Sequence, residues 1–543
     1  MEQATLYKSN TRLLQILSTF AKYGIADWLN ETDIEWIQRA MQKRQKSELM
    51  SYSREERVRM ALTELGTTFI KLGQVLSTRT DLIPIPMAKE LAKLQANAPS
   101  EALESIHQTI VESFDQPIEE LFASFSPTPM ASASIAQVHE ATLHSGEEVV
   151  VKVVHRGIEK PIHEDLRLMQ WLASLAEKAS PTLRAHRPAQ LVREFKQTFL
   201  EELDFNAERN NILSFISNFE GDKRVEFPTP FEAYSNKKVL TMKRMDGVSI
   251  QNIDDLGWDP ETKSTFMRTS LRVFLDMLFK DRFYHADPHP GNLLVTQEGV
   301  LQVIDCGMVG RIDKATSMAM EDMVIGLALE DTRLITEVVV ELCDVPKDAD
   351  LAAFERDLEM IISNYMGRPL NEIDTSKVLS DSFVIVQRHQ LNMPSNVSTL
   401  GRMVVMLEGT ARMMDPTFNL SILIKDYQFE FIKHKFNKKY LTQKAFTVFR
   451  SFETLSTQLP EAIANLVDKR RKNRFAFQVE QPDLHKGAQW LVKGLLTAML
   501  FLCATLLLAF HVGPLWQDLS IIGLATGTIA LFLGLKVWLG MKG

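Results

Sequence analysis

The chain has 543 residues, 45% of them hydrophobic, enough to supply substantial cores in two or more domains. Its formal net charge of −8, from 61 Lys and Arg against 69 Asp and Glu, gives no basic footprint for a nucleic-acid partner. Three scattered cysteines, Cys306, Cys343 and Cys503, exclude a disulfide framework and a zinc knuckle and fit a reducing compartment.

The N-terminus has a short, broken apolar run and no convincing cleavage site, so it reads as an amphipathic helix and not a signal peptide. Residues 1–50 are helical in pattern and suit both a membrane surface and the protein body. From Arg54 to Thr80 the segment REERVRMALTELGTTFIKLGQVLSTRT predicts one long helix, with Val58, Leu62, Leu65 and Phe69 at helical spacing. Lys71 and Gln74 lie three apart on it, share a face and could reach into one polar site. Asp81-Leu82-Ile83-Pro84 then stops the helix, since proline disfavours helical geometry in the residue before it.

Met130-Ala131-Ser132-Ala133-Ser134-Ile135-Ala136-Gln137-Val138 opens a predicted hairpin of two strands around a turn at Ser145-Gly146. In a protein kinase this hairpin carries a glycine-rich cover over the ATP phosphates. Alanines there restrict backbone approach and dihedral freedom, which should alter how a nucleotide binds. Lys152 sits in Val149–Val154, a strand whose side chains alternate between faces. A charge inside a β-branched run is costly to bury unpaired, so Lys152 calls for nucleotide phosphates and a carboxylate partner. The carboxylate is expected from residues 191–219, a helical pattern resembling the kinase helix that carries a lysine-pairing glutamate.

Lys238–Gly247 reads as a strand entering a hinge between two lobes, where the backbone of Met242–Met245 could bind adenine. Leu271, Phe274, Leu275 and Leu278 form the apolar face of a helix leading to HADPHPGNLLVTQEGVLQVIDCG, residues 285–307. In that stretch Asp287 lies five residues before Asn292, and Asp305 thirteen after it. Asn292 and Asp305 could share a divalent cation, leaving Asp287 to orient an attacking hydroxyl and accept its proton. The spacing is that of a kinase-like catalytic loop and its metal-binding Asp, and HxDxHPGN also resembles small-molecule phosphotransferases of the aminoglycoside and choline kinase type. A competing reading makes His285, Asp287 and His289 the ligands of a metallohydrolase. Ile304-Asp305-Cys306-Gly307 places a cysteine where kinases have phenylalanine, which leaves the positioning of this segment open. No Ala-Pro-Glu follows, which weakens the case for a protein substrate.

Residues 311–480 look mainly helical, with basic patches at Lys433–Lys439 and Lys469–Arg474. Two apolar spans follow, Gly494–His511 and Leu519–Leu539, each near the roughly 20 residues that cross a bilayer. Their connecting loop lacks Lys and Arg while Lys486, Lys536 and Lys542 flank the outer ends, so both termini and the catalytic body are expected in the cytoplasm.

On KLGQVLSTRTDLIP and this overall layout, the chain resembles the UbiB/ADCK family of atypical kinase-like proteins, and the resemblance covers nearly all of it. It implies an α+β, two-lobed protein-kinase-like fold with an N-terminal KxGQ helical extension, a helical C-terminal part and two C-terminal transmembrane helices. Residues 1–118 would be the extension, 119–247 the N-lobe with its alanine-rich loop, 248–480 the C-lobe and helical part, and 481–543 the membrane hairpin. The family pattern places its ExD motif at Glu202 and Asp204 and the lysine-pairing glutamate at Glu208. On one continuous helix Glu202 and Glu208 would point about 120° apart, Glu208 toward Lys152 and Glu202 toward Lys71. The expected catalytic set is therefore Asp287, Lys71, Glu202 and Glu208, with Lys71 gating the site and not serving as its base. The expected cofactor contacts are Met130 to Val138 and Lys152, with Mg²⁺ on Asn292 and Asp305. The resemblance also implies ATP and Mg²⁺ as cofactors and a role in ubiquinone biosynthesis at the bacterial inner membrane. Membrane lipids, isoprenoid quinone precursors and other biosynthetic proteins would be its partners.

Overall fold

A computed structural model describes residues 2–25, 51–77, 79, 83–94, 100–179, 184, 187–329, 331–343, 345–346, 349–365, 375–389, 391, 393–415, 418, 493–494, 497–505, 515–516 and 519–540. The chain divides into two units, Met1–Asn437 and Lys438–Gly543. Among the described residues the first opens with five helices: α1 (Glu2–Lys22), α2 (Arg54–Leu65), α3 (Thr67–Ser77), α4 (Ile85–Leu91) and α5 (Leu103–Phe114). The short α6 (Ile118–Leu121) leads into β1 (Phe122–Phe125), β2 (Ala131–Ser132), β3 (Ala136–Leu143) and β4 (Glu148–Val154). Then come α7 (Glu159–Ala179), α8 (Pro188–Glu202), α9 (Phe205–Asn218), β5 (Val225–Glu226), β6 (Val239–Lys243) and β7 (Val248–Ser249).

The sheet β1-β3-β4-β6, with β2 paired to β3, is antiparallel throughout. Alternation along β4 sends Val149, Val151 and Val153 to one face, where they are fully buried against Ile106 and Ile110 of α5. Its opposite face carries Val150, Lys152 and Val154, so covering one face with α5 turns the lysine toward the other.

A long helix, α10 (Pro260–Asp276), buries Leu271, Phe274 and Leu275, and Leu278 follows in a π-turn, Met277–Asp281. Arg282 then takes a left-handed conformation (φ 53°), which ends the helix. Four short strands follow, β8 (Phe283–His285), β9 (Leu293–Val295), β10 (Leu301–Val303) and β11 (Val309–Arg311). β5-β10-β9-β7 form one sheet, and β8 pairs with β11. Five helices complete the described part of this unit: α11 (Lys314–Leu329), α12 (Thr332–Leu342), α13 (Leu351–Tyr365), α14 (Thr375–Arg388) and α15 (Ser395–Met414).

Two predicted helices are broken where the chemistry needs a corner. Arg54–Thr80 divides at Gly66, whose φ of +92° suits glycine and whose N–H caps the carbonyls of Leu62 and Thr63. Residues 191–219 divide at Leu203-Asp204, where the Asp204 carboxylate accepts from Asn206 N–H and starts α9. The single-helix rotation between Glu202 and Glu208 therefore does not apply. The N-terminal helix belongs to the protein body: Ile16 and Leu17 are fully buried, and Arg12 binds Asp165 at 2.7 Å and the carbonyl of Leu65.

In the second unit, β12 (Leu515–Trp516) pairs with β13 (Leu519–Ser520) ahead of α16 (Ile521–Gly540). The second apolar span thus starts in a tight strand pair and becomes helical at Ile521. Ala504 and Ala530 are buried, and Phe501, Leu524, Leu531, Phe532 and Leu535 line a groove of about 710 Å³. Among the described residues no helix is long and apolar enough to cross a membrane. The first span ends, and both basic patches lie, outside the described residues.

Candidate active site

Register builds the cleft. Val138, Lys152 and Leu240 are direct partners across β3, β4 and β6 and so share the face turned from α5. Ala131 pairs with Val138 and joins that face, whereas Ser132 pairs with Gln137 and Gln137 with Val153, on the opposite one. Ser132 and Gln137 therefore turn their side chains away from the Lys152 face, and any contact they make with a nucleotide there is through the backbone. The Gln137 amide instead accepts from Glu101 N–H at 2.9 Å and meets His139. Met130 is exposed and donates its N–H to Val138 O, Ala133 N–H closes the turn on Ala136 O, and His155 binds the carbonyl of Ala133. Ser134 and Ile135 lie almost wholly buried within this turn.

Lys152 Nζ lies 2.8 and 3.0 Å from the two oxygens of Glu208 and 3.6 Å from Asp305 Oδ2. Burial pulls the Lys152 ammonium down, but Asp305 and Glu208 together outweigh it and hold its pKa above the ordinary value. Burial pushes the Glu208 carboxyl up against the opposing pull of Lys152. Burial also works on Asp305, yet Lys152 and the Gly307 N–H prevail and keep its carboxyl below the usual range. The Asp305 side chain remains 44% exposed, against 6% for Glu208, so one ammonium bridges a buried carboxylate and one open to the cleft.

Cys306 is fully buried, and its position is set by α9, where Asn211 Nδ2 donates to its carbonyl at 3.1 Å. A hydrogen bond thus fixes the segment where a phenylalanine would have done so by bulk. Burial drives the Cys306 thiol well above its ordinary value, so it is not a nucleophile.

His285, at the end of β8, joins the two loops. Its Nδ1 accepts from Asp287 N–H at 3.2 Å and its Nε2 contacts the Asp305 carbonyl, so Nε2 carries the proton. With both nitrogens occupied it cannot ligate a metal. His289 is exposed and caps the turn Pro290–Asn292 by accepting from Gly291 N–H. The metallohydrolase reading therefore fails, and among the described residues no His/Cys/Asp/Glu group of three could hold a metal ion. The sequence signal for His285 was its place two residues before Asp287 in a strand, which keeps its ring close to that loop's backbone.

Asn292 Nδ2 donates to the Asp287 carbonyl at 3.2 Å, which turns Oδ1 away as a free acceptor, and Ile304 N–H ties the Asn292 carbonyl to the end of β10. An amide oxygen and a carboxylate are the hard donors Mg²⁺ takes. Lys71 Nζ lies 2.7 Å from Glu202 Oε2, and its charge reaches Asp305. Gln74 does not share that site, because its amide donates to Leu94 O at 3.0 Å. Between them Gly73 seats α3: a Cβ there would lie 2.3 Å from Leu94 Cδ1 and 2.9 Å from Leu62 Cδ1.

Residues 93–339 match the ABC1 atypical kinase-like domain and residues 358–419 the UbiB helical domain. A probable protein kinase UbiB of Aeromonas salmonicida is 33% identical over 428 residues, 77% of this chain and 78% of that protein. The chain belongs to the UbiB family of atypical kinase-like proteins. A second UbiB relative, from Shewanella piezotolerans, is 28% identical over 97% of this chain and 98% of its own. The match to the UbiB helical domain, residues 358–419, takes in α15.

Proposed function

We propose that this chain binds MgATP between the β2–β3 hairpin and the loop carrying Asp287, and that it serves ubiquinone biosynthesis from the membrane. The observation that carries the reading is Lys152, bridged to Glu208 and Asp305 opposite Asp287 and Asn292. Asn292 Oδ1 and Asp305 would hold Mg²⁺, Lys152 would neutralise phosphate charge, and the small-residue turn at 133–135 would cover the phosphates. The N–H groups of Lys243 and Arg244 go to Thr229 O and Glu148 O, which leaves Met245 as the backbone donor for adenine. When bound, MgATP supplies the transferable phosphoryl group together with the cation that offsets its charge. Asp287, pinned through its own N–H to His285 and through its carbonyl to Asn292, accepts the proton of the attacking hydroxyl or water.

A small or lipid-like acceptor, or water, suits the cleft better than a protein chain, because Lys71 on α3, paired with Glu202 at 2.7 Å, adds its charge to the field at Asp305. The exposed Ile522, Leu524, Ile529, Leu531, Phe532 and Leu535 of α16 support anchorage by two C-terminal helices beside inner-membrane lipids and quinone precursors. A cysteine introduced at Gln517 is then expected to label only from the outer face of intact spheroplasts; labelling only from within contradicts the hairpin.

The fate of ATP phosphate separates the possible chemistries. A new phospho-product marks a kinase and free phosphate an ATPase drawing precursors from the bilayer. Neither, in full-length protein supplied with lipid extract, marks a nucleotide-gated scaffold for other biosynthetic enzymes and overturns the catalytic reading. Asp287→Asn should keep nucleotide binding and lose turnover by about 100-fold or more.

A further inference from the structure

The loop that presents Asp287 is held from outside the kinase-like body. α15 touches it at three backbone-level points: Arg402 Nη2 donates to Ala286 O at 3.2 Å, Thr410 Oγ1 to Pro288 O at 3.3 Å, and Tyr284 OH to Asn396 O at 3.3 Å. These bonds bracket Asp287 on both sides along the chain. Arg402 stands in an otherwise apolar stretch with Leu400, Met403 and Leu407 buried around it, so its guanidinium is drawn inward. Its Nε is buried without a protein partner among the described residues. Burial lowers its pKa, while the charges of Asp287, Tyr284 and Glu202 oppose that shift. A half-buried guanidinium with its Nε buried is costly without opposing charge, and Asp287 and Glu202 both act on it with that sign.

We propose that Arg402 is a positioning residue of this site, a strut by which α15 fixes the loop backbone and so the direction in which Asp287 faces the cleft. The proposal rests on Asp287 being the proton acceptor. It assigns a task to the helical region that follows the kinase-like domain: that region completes the catalytic loop in place of the missing Ala-Pro-Glu segment. Arg402 touches no reacting atom and acts through Ala286 and Asp287.

The test uses full-length protein in detergent and two readouts. In amide hydrogen exchange without nucleotide, Arg402→Met should speed exchange at Ala286, Asp287 and His289 about tenfold while β3 and β4 stay unchanged. In ATP turnover, Arg402→Met should lower kcat about 100-fold with MgATP affinity within threefold, and Arg402→Lys should recover about a tenth or more of the unmodified rate. Combined with Asp287→Asn it should be no slower than Asp287→Asn alone, because both changes act on one group. Unchanged exchange at the loop overturns the proposal, as does loss of protection and affinity throughout the unit, which would mark a merely structural arginine. If unmodified protein neither hydrolyses nor transfers phosphate, the reading of Asp287 has failed and the exchange result alone decides the strut. Should Arg402→Met not fold, Thr410→Val loosens the same loop at Pro288 and should raise its exchange about threefold; no change there also overturns the proposal.

Discussion

Two lysine–glutamate pairs stand near each other in the cleft, close enough that Glu202 adds to the field at Lys152, yet they are built differently. Lys152 comes from a strand fixed on both sides by β3 and β6, and it meets both oxygens of Glu208 as well as Asp305. Glu208 sits in the first turn of α9, whose start is capped by Asp204. Lys71 rides on α3, which begins anew after the corner at Gly66 and depends on the seat at Gly73. Its partner Glu202 ends α8, a helix with no basic residue in its last turn, where a carboxylate is disfavoured and welcomes a cation. Glu202 Oε1 is buried without a protein partner among the described residues. The first pair is anchored by sheet register, whereas the second joins two helices and involves no strand. We propose that the first pair holds a nucleotide and the second gates it.

Three substitutions break this comparison, in falling order of effect. Lys152→Ala removes the cation between two carboxylates; it should cost about 3 kcal/mol of stability and weaken MgATP binding about 30-fold or more, read by thermal melting and calorimetry. Lys71→Ala should cost about 1–2 kcal/mol and shift nucleotide affinity less than about tenfold. It should permit self-phosphorylation and abolish complementation of a ubiquinone-deficient strain. A Lys71→Ala protein that matches the unmodified one in affinity, self-phosphorylation and complementation makes that lysine an ordinary surface residue. Gly73→Ala should cost about 1 kcal/mol, because Leu94 and Leu62 must move to admit the methyl, and should reproduce the Lys71→Ala phenotype in weaker form. A melting temperature unchanged by Gly73→Ala would show that α3 is not seated there.

The kinase-like combination of helix and sheet was legible because its signals are local. A charge in a β-branched strand, an Asp–Asn–Asp spacing and an amphipathic helix before the loop can each be seen within about twenty residues. The pairing of Lys152 with Glu208 followed from the cost of an unpaired buried charge, and the resemblance supplied the partner's number. The corners at Gly66 and Leu203-Asp204 were missed because apolar periodicity runs through both and local capping decides the break. The face taken by the Ser132 and Gln137 side chains was not legible, because composition does not reveal strand register, which alone decides it. Arg402 lies 115 residues beyond Asp287 in sequence, so no spacing rule connects them. The available signal was a lone arginine among Leu400, Met403 and Leu407, a pattern that asks for a buried acceptor. The proposed membrane hairpin rests on hydropathy, and much of its sequence lies outside the described residues.

The central claim is that Asp305, held below the usual carboxylate range beside Lys152, completes a Mg²⁺-dependent nucleotide site. Its most direct test is a calorimetric titration of ATP, with and without Mg²⁺, into full-length protein and into Asp305→Asn. The account predicts binding that requires Mg²⁺ in the unmodified protein and falls about tenfold or more in Asp305→Asn. Equal MgATP affinity in the two proteins would contradict it.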